Sequence, residues 1–127
     1  MSKEVIKTDK APAPIGPYNQ AIRSGNMLFV SGQVAIDPAT NELIDGDTAT
    51  EAHRVMKNLK AILDEAGLTF SHVVKTTIFL SDMSLFVAVN EVYGSYFASD
   101  FPARETVAVK GLPKGVNVEI SVIAAGD

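Results

Sequence analysis

The chain contains no cysteine. That absence excludes a thiol nucleophile, a disulfide and any zinc site built on thiolates, and it is compatible with a reducing compartment without requiring one. No apolar run approaches the roughly 20 residues of a membrane-spanning helix. The first residues, Met1-Ser2-Lys3-Glu4, lead into no apolar core region, so no secretory signal is expected and the reading is of a cytoplasmic protein. Basic residues are scattered instead of striped, and 11 Lys and Arg against 15 Asp and Glu leave a formal charge of −4. A phosphate backbone is therefore a disfavoured partner. Internal repeats, low-complexity segments and interdomain linkers are also missing. His53 and His72 have no ligand constellation beside them and read as surface residues, so neither a metal nor another cofactor is expected.

What is present is the composition of one soluble domain over residues 1–127, with 46% hydrophobic and 20% charged residues. A chain of this length buries roughly two-thirds of its unfolded surface, enough for a core without metals or disulfides. Ala11-Pro12-Ala13-Pro14-Ile15-Gly16-Pro17 is a proline-stiffened extended connector. Ser24-Gly25-Asn26 separates Gln20–Arg23 from Met27–Val30 as a hairpin turn would, and Asp37-Pro38 and Asp45-Gly46 mark further turns. From Thr48 the period changes: Ala52, Val55, Met56, Leu59, Ile62, Leu63 and Ala66 share a helical stripe. Thr48 and Glu51 have capping-box spacing, and Gly67 stands where a left-handed terminal residue is wanted. A strand over 73–80 follows, then a helix capped by Asp82 or Ser84 with Leu85, Phe86, Val89, Tyr93 and Phe97 inward, and Gly94 as a weak point. Strands over 105–110 and 116–124 flank the turn Gly111–Gly115.

Strand parity puts Val74, Ile78 and Leu80 on one face and Val73 and Phe79 on the other. In the last strand Val118, Ile120 and Val122 oppose Glu119, Ser121, Ile123 and Ala125. Both faces carry apolar residues, and two helices can cover only one. A second copy of the protein is the expected cover, in closed cyclic symmetry. Arg104, opening its strand after Pro102-Ala103, needs an anion other than Glu105, which points to the opposite face. An internal carboxylate such as Asp100 or Glu119 is the ordinary partner, and a ligand carboxylate held by the guanidinium fork is the alternative. Counting about the turn sets Arg104 and Glu119 across from each other or nearly so. Glu119 itself is either a surface residue or, if its face enters an interface, a desolvated carboxylate with a raised pKa. Lys75 reads as a solvated or paired lysine, not a Schiff-base former.

Six motifs then coincide in order and spacing: Ile15-Gly16-Pro17-Tyr18-Asn19-Gln20-Ala21, Val30-Ser31-Gly32-Gln33, Val74-Lys75-Thr76-Thr77, Val89-Asn90-x-x-Tyr93, Phe101-Pro102-Ala103-Arg104 and Val118-Glu119-Ile120. Together they resemble the RidA (YjgF-like) enamine/imine deaminases over essentially the whole chain. The resemblance implies a chorismate-mutase-like α+β fold, a mixed sheet packed on two helices, and a homotrimer with a central β-barrel and ligand clefts between subunits. It also implies hydrolysis of 2-aminoacrylate and related 2-imino acids to 2-oxo acids and ammonia. By the same resemblance Arg104 grips the substrate carboxylate, and Tyr18 and Glu119 match other cleft positions. A protonated imine needs only an oriented water and a proton acceptor, so Glu119 is expected to orient or deprotonate the water and Tyr18 to shape the cleft and supply a hydrogen bond. Ser31, Gly32 and Asn90 match further substrate-binding positions. Glu105 and Asn19 depart from the family pattern, and Thr106 stands where the family often has cysteine or threonine. A 2-oxo-acid sensor is the alternative function, with endoribonuclease and chaperone-like roles behind it.

Overall fold

The computed structural model describes residues 2–126. Its chain order is β1 (Glu4–Ile6), β2 (Ala21–Ser24), β3 (Met27–Gln33), β4 (Ile36–Asp37), β5 (Glu42–Leu43), α1 (Thr48–Glu65), β6 (Val73–Leu80), α2 (Phe86–Gly94), β7 (Ala103–Ala108) and β8 (Val118–Ala125). Six strands form one sheet in the order β1-β2-β3-β8-β6-β7, while β4 and β5 make a separate small hairpin. All pairings in the large sheet are antiparallel except β6 with β7, so the sheet is mixed and the class is α+β.

Alternation decides the layers. Along β8, buried and half-buried residues alternate without a break, and the buried set includes Val118, Ile120, Val122 and Ala124. Facing them, α1 buries Ala52, Val55, Met56, Leu59, Ile62 and Leu63, the stripe its period demands. Each large member of this layer contributes about 1.5–3 kcal/mol by leaving water. The start of α1 differs from the expected capping box. Asp47, one residue earlier than Thr48, is the cap and accepts from the Thr50 N–H, while Glu51 instead accepts from the Asn117 and Val118 amides and the Asn117 side chain. An ionised carboxylate is the better acceptor at the positive helix end, and those bonds hold the Asp47 pKa below its usual value. The other end closes as expected: Gly67 has φ 77°, with Gly67 and Leu68 donating back to Asp64 and Leu63.

Three further expectations need correction. The strands run over Ala103–Ala108 and Val118–Ala125, not 105–110 and 116–124. Val74 does not share the face of Ile78 and Leu80. A register shift between Val73 and Lys75 puts Val73 in the core and leaves Val74 exposed, because one extra residue reverses the parity upstream of it. Phe97 lies beyond the end of α2 but still packs on the core, and Gly94 is the last residue of that helix. Of the two candidate caps, Asp82 accepts from the Ser84 N–H and opens a 3₁₀ turn, Met83–Leu85, ahead of α2.

Candidate functional site

Two clusters carry the residues singled out by sequence, and they stand on opposite faces of the sheet. The first surrounds Arg104. In the parallel ladder Arg104 lies beside Thr76, whose fully buried side chain faces the helices, so Arg104 shares the helix face at the sheet edge. Its Nη1 donates to Asn90 Oδ1 at 2.8 Å, and its guanidinium carbon lies 5.2 Å from the Tyr93 ring centre and 5.7 Å from that of Phe86. Tyr93 is fixed in turn by donating its hydroxyl to Thr76 Oγ1 at 2.8 Å. Burial raises the Tyr93 pKa, against the Thr76 bond and the Arg104 charge. Among the described residues no carboxylate lies within ion-pair reach of Arg104. The internal-carboxylate reading therefore fails for this protomer. The guanidinium instead lines a cavity of about 460 Å³ shared with Asn90, Tyr93, Gly94, Phe101 and Pro102.

The second cluster lies on the uncovered face. Between Val30 and Gln33 the β3–β8 register slips by one residue, and Ser31 and Gly32 occupy the bulge. The Ser31 hydroxyl donates to the Asn19 carbonyl at 2.6 Å and its amide to Gln20. Glu119, on the adjacent strand, lies directly over Gly32. A Cβ at position 32 would sit 2.5 Å from Glu119 Oε2, so the missing side chain admits the carboxylate. Burial raises the Glu119 pKa. Tyr18, half exposed after a tight turn closed by its amide on Gly16, joins Asn19, Ser31, Phe29, Ser121 and Ile123 around a second cavity of about 440 Å³.

The expected juxtaposition of Arg104 and Glu119 does not occur within one protomer. Strand β6 lies between β7 and β8; Arg104 is level with Thr76 and Val122, whereas Glu119 pairs with Phe79 on the opposite face. Two strand spacings and three residues of rise separate their backbones by roughly 14 Å. The turn count went astray because β7 and β8 are not a hairpin: β7 pairs in parallel with β6. Glu105 belongs to the open face, where it pairs with Lys75 at 3.2 Å and accepts from Thr77, so Lys75 is a paired lysine.

The family model described as Endoribonuclease L-PSP matches residues 8–126. The chain belongs to this family, the YjgF/RidA/RutC proteins. It is 54% identical over 126 residues to Protein DfrA of Myxococcus xanthus, covering 98% of this chain and 96% of the relative. It is 48% identical over 122 residues to the mouse 2-iminobutanoate/2-iminopropanoate deaminase, covering 96% and 90%. Among solved structures, Escherichia coli TdcF with bound serine superposes with a TM-score of 0.93 at 38% identity, covering 98% of this chain and 99% of that one. Family membership thus agrees with the resemblance carried by the six motifs. What sequence reasoning missed is the support under Arg104. Phe86 was read only as an inward core residue, although Phe86, Asn90 and Tyr93 recur at helical spacing on the α2 face that meets the arginine.

Proposed function

We propose that the protein hydrolyses 2-imino and 2-enamine acids of the 2-aminoacrylate and 2-iminobutanoate type to 2-oxo acids and ammonia. The observation that carries this reading is Arg104: a guanidinium oriented by Asn90, cushioned on two aromatic rings, without a carboxylate partner among the described residues and open to a cavity. Such a group suits a ligand carboxylate held by two parallel N–H donors. Glu119 is the proton handler. With its pKa raised toward neutrality it serves as a base better matched to working pH than an ordinary surface glutamate. Water adds to the carbon of the protonated imine, the C=N electron pair passes to nitrogen, and Glu119 takes the water's proton, giving a neutral carbinolamine. Glu119 returns that proton to the nitrogen, the C–N bond breaks with release of ammonia, and the hydroxyl gives its proton to Glu119 as the carbonyl forms. Tyr18, Ser31 and Gly32 shape the wall around the reacting carbon.

Because Arg104 and Glu119 occupy opposite faces, one protomer cannot present both to one small acid, and the reading requires two copies. A head-to-tail ring brings the Arg104 edge of one protomer to the Glu119 face of the next, and three copies close it as a trimer with its sheets inward. Three partly exposed apolar residues of the open face, Phe29, Val74 and Val107, support that burial. The natural setting is the cytoplasm, where pyridoxal-phosphate dehydratases release such imines.

The test generates 2-iminopropanoate and 2-iminobutanoate in situ with an amino-acid oxidase and follows semicarbazide trapping. Wild-type protein should divert imine to 2-oxo acid, and Arg104→Ala should lose about 10²- to 10³-fold in kcat/KM. No acceleration by the wild type would sink the reading. One observation favours a second reading, a sensor without turnover: the TdcF structure holds serine, a saturated amino acid. Saturable binding of 2-oxo acids with no loss of imine would select it. An endoribonuclease role has only the family's description behind it, and its signature would be salt-dependent RNA binding.

A further inference from the structure

The outer face of α1 carries a second candidate binding site, apart from both clusters described above. Thr50, His53, Arg54 and Lys57 follow one another at intervals of three, one and three residues, which places them on one helical stripe. Together with Asp45 and Tyr96 they line a cavity of about 730 Å³. Three features distinguish it from an ordinary solvated helix face.

First, Arg54 is held in place. Its Nε donates to Asn58 Oδ1 at 3.2 Å, and Asn58 is itself fully buried, donating to the Val34 and Ile36 carbonyls at 3.0 Å each. Anchoring through Nε leaves both terminal nitrogens of the fork to a ligand. Second, three carboxylates on and before α1 are engaged elsewhere, and Asp45, which lines the cavity, forms no ion pair with Arg54 or Lys57. Asp47 caps the helix, Glu51 binds Asn117 and Val118, and Asp64 pairs with Lys60, so Arg54 and Lys57 have no ion-pair partner among the described residues. Third, the wall opposite is built. Tyr96 packs edge-on against Phe70 with ring centres 5.5 Å apart, and its hydroxyl lies 2.9 Å from His53 Nδ1. Burial raises the Tyr96 pKa against the pull of the Arg54 charge.

The Arg54 fork and the Lys57 ammonium are the charged donors of the cavity, and Asp45, on the loop before the helix, is its charged acceptor. A dianion with several acceptor oxygens matches the donors, and a hydroxylated body matches the acceptor. We infer that this cavity is a binding site for a small phosphate monoester of a polyol, such as a sugar phosphate, distinct from the imine cleft. A free carboxylate offers one plane of two oxygens and leaves part of this donor set unpaired; a phosphate engages a fork and a point charge at once.

Isothermal titration calorimetry on the intact protein, with ribose 5-phosphate and with ribose, tests the site. Saturable binding of ribose 5-phosphate at one per chain, and none of ribose, is expected. Arg54→Gln and Lys57→Gln should each weaken it about tenfold or more, the loss of one charge-assisted contact, with unchanged thermal melting for Lys57→Gln showing that the fold is intact. Arg104→Ala should leave it unaltered, and Lys57→Gln should leave imine hydrolysis unaltered, so failure here and failure of the deaminase reading are separate results. The inference is overturned if ribose 5-phosphate gives no saturable heat at millimolar concentration, if both α1 variants bind as the wild type does, or if Arg104→Ala abolishes binding.

Discussion

The two faces of the sheet are made of the same strands and yet have different fates. On one face, Ile78, Leu80, Val118 and Ile120 are fully buried beneath α1 and α2; on the other, Phe29, Val74 and Val107 remain 42–45% exposed. A period of two gives every strand both kinds of residue, but the chain has helices enough for one layer only. The difference explains why the candidate site is divided. Arg104 belongs to the finished face at its edge, where α2 reaches it; Glu119 and Gly32 belong to the unfinished one.

The largest effect should come from damaging the finished face. Ile120→Ala removes a fully buried side chain and should cost about 2–5 kcal/mol in denaturant unfolding, whereas Ser121→Ala, one residue along and facing outward, should change stability by under about 0.5 kcal/mol. Equal costs would erase the distinction between faces. A mixing experiment addresses the division of the site. Arg104→Ala and Glu119→Gln proteins, each inactive alone, should regain about a quarter of wild-type activity when refolded together, because a quarter of clefts then draw both native residues from different copies. Continued inactivity of the mixture would mean that one protomer supplies both. Gly32→Ala comes next: the new methyl must displace the Glu119 carboxylate, and a misplacement of that size should lower kcat/KM by about 10² while melting temperature shifts little.

The smallest expected effect is on pH dependence. Burial raises the folded pKa of Glu119 above its unfolded value, so the folded state holds the proton more tightly between the two. Its favourable contribution is complete below the ordinary glutamate range and is lost as pH rises through the raised value. Glu119→Gln should flatten that decline in unfolding experiments run across this interval. A steeper decline in the variant would contradict the assigned direction.

Local patterning carried far in the sequence, and non-local pairing did not. The α1 stripe, its Gly67 end, strand β6 and the alternation of β8 are all visible as periodicities, because each depends on neighbours within a turn or a pleat. The Val74 bulge is invisible to parity counting, since nothing in that segment marks the extra residue. Parallel β7 pairs across an intervening helix, so a count about the 111–115 turn could not find it. For the site, the motifs named Arg104, Asn90, Ser31, Gly32 and Glu119, but their separation onto two faces follows from strand order alone. Asn58 falls outside the apolar stripe read from the sequence, and its burial and its bonds to Val34, Ile36 and Arg54 belong to the structure alone.

The position of β8 has a kinetic consequence. This last strand of the sheet lies between β3 and β6 and pairs with both, so two fragments of sheet made earlier have no bridge until it arrives. Contacts of such long sequence separation form slowly, and the waiting strands expose unpaired edges. During synthesis, the interval before residues 118–125 become free to insert is therefore the period in which a nascent chain is most open to pairing with the wrong partner.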